Sequence, residues 1–317
     1  QVGGLAINSA GDVFMALSKN CIRKVRELSG DSQIITPVAG ICGKGGYFGE
    51  KVAAITAQLN TPSGVAVNNS GEIIIADTYN HRIRKVTTDG MINTIAGNGV
   101  AGFSGASGIA IDTMLNNPTS VTVTGNGEVI ISDSGNYKIR KVDRNGIITA
   151  IAGNGVNGFG GDGDSAINAL LRSAGKVVVT EEGDVLFADT GNNRIRKVDS
   201  TGKIVTIAGN GAAGFTGDGV LATSTSLNQP ESIAYVNGEV YIADTKNHRI
   251  RKIFANGTIT TITGNGLDAY CGDGGPAIDA CVNRPVSVVV NNDGEVFISD
   301  EDNHIVRKID ENGFIST

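Results

Sequence analysis

Three histidines are the first residues to weigh as metal ligands, because catalytic zinc is held largely by imidazole. His81, His248 and His304 each follow an asparagine in the same local motif, so they are copies of one position in a repeat. If the repeats surround an axis, this position lies roughly 15 Å from it at a strand spacing near 4.8 Å. Copies so far apart do not share an ion through bonds of about 2 Å. We therefore interpret them as structural turn residues and predict no metal ligands and no catalytic residues.

A repeated aspartate resembles a carboxylate cluster for general acid–base catalysis. Catalysis needs one convergent site, whereas this residue recurs once in each of five repeats. We interpret each copy as pairing with a strand arginine or with turn amides, in a partly buried ion pair that fixes local geometry. The copies are Asp77, Asp133, Asp189, Asp244 and Asp300.

Four cysteines, Cys21, Cys42, Cys271 and Cys281, stand near the two ends of the chain. An even number in two local groups predicts disulfides from Cys21 to Cys42 and from Cys271 to Cys281, and an oxidising compartment. In the first pair, two antiparallel strands joined by a turn around residues 29–32 would bring the sulfurs together. Four buried free thiols are the alternative.

Composition argues against two classes of partner. A net charge of −6, 5% aromatic residues and the absence of tryptophan offer little to nucleic acid, which needs a concentrated basic surface and stacking platforms. The longest apolar runs are a few residues, such as 73–76, far short of the roughly 20 that span a bilayer. We expect neither nucleic-acid binding nor direct membrane insertion.

The elements that must position these side chains follow from an internal repeat. The motif Arg82-Ile83-Arg84-Lys85-Val86 is one of six copies, some of them variants, at arginine spacings of 61, 56, 56, 55 and 56 residues. Each copy reads as four short strands rich in valine and isoleucine, separated by Gly or Asp-Gly turns. The aligned arginines are Arg23, Arg84, Arg140, Arg196, Arg251 and Arg307.

One such meander cannot bury both of its apolar faces, whereas six stacked around an axis can. The sequence therefore predicts an all-β chain, a six-bladed β-propeller of four-stranded antiparallel blades that forms a single domain over residues 1–317. The predicted blades span approximately residues 3–40, 63–97, 119–153, 175–209, 231–264 and 286–317.

The repeat resembles the NHL family, whose naming motif Asn-His-Leu is altered here to Asn80-His81-Arg82 and Asn247-His248-Arg249. The longer unit, with Ala96-Gly97-Asn98-Gly99 and a later Gly-Asp-Gly, looks like the teneurin-like subtype found in secreted and cell-surface proteins. The resemblance covers the whole chain and implies a six-bladed propeller. It implies much less about activity, because one fold hosts many functions.

Departures from the repeat are the better guide to a site, since the fold does not force them. The position just before each innermost strand is glycine or serine except at Lys176, and the preceding position holds Glu231 in the next blade. The two predict a polar ligand site at the axial mouth of the propeller; an inter-blade ion pair is the structural alternative. The predicted ligand-binding residues are Lys176, Glu231, Ser120, Ser232 and Ser287.

The best interpretation is a non-enzymatic module, extracellular or at the cell surface, that binds a protein or glycan through its long connector loops. Such a module needs no cofactor. The alternative is a six-bladed hydrolase or lactonase with calcium in its tunnel, for which Asn8, Asn68 and Asn291 are the weak ligand candidates. Asn68 and Asn256 begin acceptor sequons and are predicted glycosylation sites.

Overall fold

A computed structural model describes residues 1–27 and 33–317. Within them the regular elements are β-strands and three-residue 3-10 turns, and no helix is long and apolar enough to cross a membrane. The chain divides into two compact units, residues 3–156 with residue 1, and residues 157–317 with residue 2. Each unit carries three antiparallel sheets in sequence order. Six consecutive sheets of this kind confirm the predicted six-bladed β-propeller fold class.

The first unit holds sheets 1 to 3. Sheet 1 consists of β1 (Val2–Ile7), β2 (Val13–Leu17), β3 (Cys21–Glu27) and β4 (Gln33–Ala39). Sheet 2 consists of β6 (Gly64–Val67), β7 (Ile73–Asp77), β8 (Arg82–Val86) and β9 (Met91–Ala96), with β5 (Val52–Ala53) at its edge. Sheet 3 consists of β11 (Pro118–Val123), β12 (Val129–Asp133), β13 (Lys138–Val142) and β14 (Ile147–Ala152), with β10 (Ser107–Ile109) at its edge.

The second unit holds sheets 4 to 6. Sheet 4 consists of β15 (Ala174–Val179), β16 (Val185–Asp189), β17 (Arg194–Val198) and β18 (Ile204–Ala208). Sheet 5 consists of β20 (Ser232–Val236), β21 (Glu239–Asp244), β22 (Arg249–Ile253) and β23 (Thr258–Thr263), with β19 (Val220–Leu221) at its edge. Sheet 6 consists of β24 (Pro285–Val290), β25 (Val296–Asp300), β26 (Ile305–Ile309) and β27 (Ile315–Ser316).

The short strands β5, β10 and β19 are a difference from the predicted four-stranded blades. Each lies in a connector and pairs antiparallel with the fourth strand of the sheet that follows it, as Val52 does with Ile92. Two or three residues are too few to show strand alternation in the sequence. The pairing covers a sheet edge whose backbone groups would otherwise be open to other chains.

The core lies between neighbouring sheets of each unit. Between sheets 1 and 2, Phe14, Ile22, Leu59 and Ile75 pack in one buried cluster. Ile195, Leu227, Ile242 and Ile259 do the same between sheets 4 and 5. A residue of the connector joins each cluster, which ties the connector to the sheets it links.

Both predicted disulfides are present. Cys21 is bonded to Cys42 at a Cα–Cα distance of 5.0 Å, and Cys271 to Cys281 at 4.9 Å. The predicted turn around residues 29–32 lies outside the described residues. Cys271 and Cys281 also form a backbone bridge, in the place where Gly160 and Leu170 bridge the connector of sheet 4.

Candidate functional site

The repeated aspartate is structural, as predicted. Asp77 accepts hydrogen bonds from the backbone N–H of Asn60 (2.7 Å) and from the side-chain amide of Asn80 (2.8 Å). The fully buried guanidinium of Arg84 lies 3.6 Å from the same carboxylate. Burial raises the pKa of Asp77 to about 6, against the lowering effect of these partners. The same arrangement recurs at Asp133, Asp189, Asp244 and Asp300.

A second carboxylate holds the buried arginine to the connector. Arg196 contacts Asp162 of the Gly-Asp-Gly motif at 2.7 Å, and Thr206 donates to that aspartate at 2.7 Å. Sequence reasoning used the motif only as part of the family resemblance and missed the partner of its aspartate. Arg84, Arg251 and Arg307 have the equivalent partners Glu50, Asp218 and Asp273. Sheet 3 has Ala106 at this position.

Each connector also carries an aromatic residue against a basic residue of the third strand, which is the residue that opens the strand in sheets 2 to 5 and Arg307 in sheet 6. The guanidinium carbon of Arg194 lies 3.6 Å from the centre of the Phe159 ring, and that of Arg249 lies 4.0 Å from Phe215. The stacked rings are between 39% and 51% exposed, so each keeps an accessible surface. Sequence reasoning did not single them out, although all but Tyr270 follow a glycine at a fixed place in the repeat. The set is Tyr47, Phe103, Phe159, Phe215 and Tyr270.

The histidines are turn residues, which confirms the prediction and shows its cause. His81 has φ of 52° after a 3-10 turn, and its Nδ1 accepts a hydrogen bond from the backbone N–H of Asn117 at 3.2 Å. His248 accepts in the same way from Arg284. Burial, and then the nearby Arg82 charge, lowers the pKa of His81. His304 has its Nδ1 2.9 Å from the carbonyl of Glu301.

The predicted mouth residues lie at the starts of the first strands. The backbone N–H of Lys176 donates to the carbonyl of Glu231 at 2.9 Å, so the two residues are neighbours across sheets 4 and 5. Lys176 lies inside β15, since a bulge between Ala174 and Val177 carries the strand past it. The prediction that this position precedes the strand is therefore wrong for Lys176, and also for Ser120 in β11, Ser232 in β20 and Ser287 in β24.

The three predicted serines are buried. Ser120, Ser232 and Ser287 are 3%, 1% and 1% exposed, and Ser232 Oγ accepts a hydrogen bond from the backbone N–H of Val288 at 3.2 Å. Lys176 and Glu231 are half-buried, so they are the parts of the predicted set that remain accessible.

A charge cluster adjoins Glu231. Arg284 lies 3.1 Å from Glu301, 3.5 Å from Asp302 and 3.9 Å from Glu231. Burial raises the pKa of Glu231 to about 7, and burial lowers the pKa of Lys176 to about 8. Titratable groups with opposed perturbations on neighbouring strands are typical of functional sites.

Sequence reasoning missed Arg284, Glu301 and Asp302, although the signal was of the kind used for Lys176. Arg284 occupies the position of Thr61, Asn117, Ser173 and Gln229 in the other repeats. Glu301 occupies the position of Thr78, Ser134, Thr190 and Thr245.

The asparagines offered as weak calcium ligands serve hairpin turns. Asn68 Oδ1 accepts from the backbone N–H groups of Ser70 (3.1 Å) and Glu72 (2.8 Å). Asn8 and Asn291 repeat the pattern. Among the described residues, no three His, Cys, Asp or Glu side chains are grouped closely enough to hold a metal ion.

Family models match three parts of the chain. The NHL repeat model matches residues 59–86 and 227–253, and the teneurin NHL domain model matches residues 266–317. Each of the three matched parts includes the third-strand arginine motif and the turn before it.

Curated relatives match over longer stretches at moderate identity. Human teneurin-1 is 31% identical over an alignment of 242 positions that covers 68% of this chain and 8% of the relative. The protein SUPPRESSOR OF QUENCHING 1, chloroplastic, of Arabidopsis thaliana is 27% identical over 272 residues, 81% of this chain and 25% of the relative. The chain spans a quarter or less of these relatives.

Solved structures share the fold at low identity. An auxiliary nutrient binding protein from Bacteroides thetaiotaomicron superposes with a TM-score of 0.69 at 15% identity, covering 97% of this chain and 68% of that one. A streptogramin B lyase gives 0.58 at 13% identity, covering 99% and 81%. A chain of a nidogen/laminin complex gives 0.60 at 12% identity, covering 94% and 89%.

Proposed function

Because this chain is an NHL-repeat β-propeller, we propose that it is a non-enzymatic recognition module that binds a protein or glycan through its connectors. The observation that carries the proposal is the aromatic residue that each connector holds against a basic side chain. A ring fixed in this way has little conformational entropy to lose on binding, which is why rigid aromatic anchors dominate many interfaces. Phe159 and Phe215 illustrate the arrangement, with one part of each ring stacked and 41% and 39% of the residue exposed.

The charge cluster supports the same proposal. Arg284 is 40% exposed in its side chain and Glu231 36%, so both present charge to solvent from a site that partly desolvates them. Charges of both signs at one place favour a partner with complementary polar groups and set its orientation. We include Glu231 in the proposed binding surface on this ground, together with Lys176, whose backbone N–H donates to the carbonyl of Glu231 at 2.9 Å.

The proposed location is extracellular or at the cell surface. Two disulfides support it, because such bonds persist in oxidising compartments. The teneurin relatives favour the same location, whereas the chloroplastic relative favours a plastid. Non-reducing peptide mapping of native material tests it, since alkylatable thiols at all four cysteines would contradict an oxidising compartment.

A screen of purified protein against arrayed extracellular proteins and glycans tests the function. The proposal expects saturable binding to a member of one of these classes, and binding to none of them would overturn it. Metal analysis of the same preparation tests the rival hydrolase or lactonase. Stoichiometric calcium together with lactone or ester hydrolysis would favour that enzyme over the recognition module.

A further inference from the structure

A cleft of about 680 Å³ lies between sheets 5 and 6 of the second unit. Val236, Ile262 and Ile309 line it with apolar side chains, and Tyr241 adds an aromatic ring. Its volume falls within the roughly 300–1,000 Å³ of small-ligand pockets. The lining includes neither the charge cluster around Arg284 nor the connector aromatic residues, so the cleft is a separate place on the unit.

A shortened hairpin stands at this cleft. In sheet 5, Val236 pairs directly with Glu239 across the two-residue turn Asn237-Gly238, whose φ angles are 51° and 80°. Two residues with positive φ are typical of a tight type I′ hairpin. In sheet 6 the same hairpin contains one more residue, and Asn291 closes it by accepting from Asp293 and Glu295. The missing residue explains why Arg196 and Arg251 are 55 residues apart and not 56. It also makes the sheet 5 hairpin shorter where it borders the cleft.

The rim of the cleft is acidic. Glu239, Asp293, Asp310 and Glu311 face a single basic residue, Lys252, among the lining residues. Lys252 is already paired with Glu239 at 2.6 Å, which is the sheet 5 copy of an ion pair found in other sheets. The lining therefore carries more negative than positive charge, beside the half-buried apolar side chains of Val236 and Ile262.

We propose that this cleft binds an arginine-bearing segment of a protein partner. The aliphatic part of an arginine side chain packs on apolar surface while its guanidinium stays at the edge. Carboxylates accept guanidinium N–H groups in strong, charge-assisted hydrogen bonds. Asp293 and Glu311 are exposed at the rim and are assigned this role. The inference rests on the proposed function as a recognition module and names the chemistry of one partner.

The test uses a defined probe, the acetylated and amidated peptide Arg-Val-Arg-Val-Arg, with a citrulline-for-arginine peptide as the uncharged control. Binding to the full chain is measured by calorimetry at low and at physiological salt. Asp293→Asn combined with Glu311→Gln removes the rim charge without touching the core. Asp268→Asn, at an exposed position outside the cleft lining, controls for the loss of one negative charge elsewhere on the unit. A third variant replaces Val236-Asn237-Gly238 by Asn-Asn-Ser-Gly, the turn of sheet 2, to restore the missing residue.

The proposal expects the arginine peptide to bind and the citrulline peptide to bind at least about tenfold more weakly, since each lost ion pair at an exposed rim weakens binding a few-fold. The rim variant should weaken binding about five- to tenfold, and Asp268→Asn should leave it unchanged. The longer hairpin should abolish it. Equal binding of both peptides, equal binding by the rim variant, or no binding by the native chain would overturn the proposal. A ligand captured through the connectors while the peptide fails to bind would overturn only this inference and leave the proposed function standing.

Discussion

The imidazole of His81 accepts a hydrogen bond from the backbone N–H of Asn117 at 3.2 Å and so joins sheet 2 to sheet 3. Asn20 and Asn193 make the same connection with a side-chain amide oxygen, to Thr61 and Gln229. A neutral Nδ1 is required to accept this bond, which makes the connection sensitive to protonation where histidine supplies it. This relationship gives the first prediction.

His81→Asn should reduce the loss of stability on acidification. The pKa of His81 is lowered in the folded chain, so the unfolded chain binds the proton more readily and the contribution of His81 falls as the pH drops below about 6.5. Asparagine keeps the acceptor but does not titrate. Thermal unfolding of both proteins between pH 7.5 and 5 checks this, since the shared titrations of other groups cancel in the difference. Parallel pH profiles would contradict it.

Ala106→Asp combined with Ala150→Thr should stabilise the first unit. Arg140 contacts Asp133 at 3.5 Å and the Gly105 carbonyl at 3.1 Å, whereas Arg196 has in addition the carboxylate of Asp162. The double change gives sheet 3 the aspartate and threonine found in sheet 4. We expect a gain of about 1 kcal/mol in the free energy of unfolding, the size of a typical hydrogen bond.

The reverse change in sheet 4 is the matched control for that gain. Asp162→Ala with Thr206→Ala should cost at least as much, because it leaves the buried Arg196 with one carboxylate fewer. Chemical denaturation of the two double variants measures both effects. A loss of stability in the sheet 3 variant would show that its connector backbone does not accommodate the carboxylate.

Removal of the two disulfides should have unequal effects. The Cys21–Cys42 bond closes a longer stretch of chain than Cys271–Cys281, with sequence separations of 21 and 10. The loop-entropy model gives about 3.4 and 2.8 kcal/mol for the two closures.

Cys271→Gly with Cys281→Leu copies the bridge of sheet 4 and should retain more stability than the corresponding double serine variant. Equal losses in these two variants would contradict the equivalence of the bridges.

Asn256 should carry glycan before Asn68 does when the chain passes through a eukaryotic secretory pathway. Asn256 is exposed on the hairpin between β22 and β23, whereas the side-chain amide of Asn68 donates to Glu72 at 2.9 Å. The side-chain nitrogen of Asn68, to which the glycan would be attached, therefore already donates a hydrogen bond within its own turn. Glycopeptide mass spectrometry gives the occupancy of each site, and a fully occupied Asn68 beside an empty Asn256 would contradict the prediction.

Repetition explains what the sequence allowed to be predicted. The aspartate–arginine pairs were predictable because Asp77 and Arg84 recur together in five of the six repeats, and a feature repeated in this way serves the sheet. The disulfides were predictable because cysteine has few other uses in such a chain. Strand β5 was not predictable, since Val52 and Ala53 pair with residues about forty positions away and show no pattern of their own.

The accessible sites were harder to predict, because they are built from single departures in different repeats. Glu231, Arg284 and Glu301 each belong to a different strand or turn, and only the folded second unit brings their charges within 4 Å. The cleft depends on one absent residue near Asn237. The arginine spacing shows that a residue is missing from this repeat but not at which position. Each of these residues differs from its counterparts at a single repeat position, so a motif common to all repeats does not include it.

Binding by connector variants tests the central claim most directly. Phe159→Ala with Phe215→Ala removes two stacked rings of the second unit, and Phe254→Ala removes a ring of similar exposure, 38%, from a hairpin outside the connectors. The affinity of each variant is measured for the ligand found in the array screen, alongside its thermal unfolding. We predict at least about a tenfold loss for the double variant, as for other aromatic anchors, and little change for Phe254→Ala. Unchanged affinity in a folded double variant would contradict recognition through the connectors.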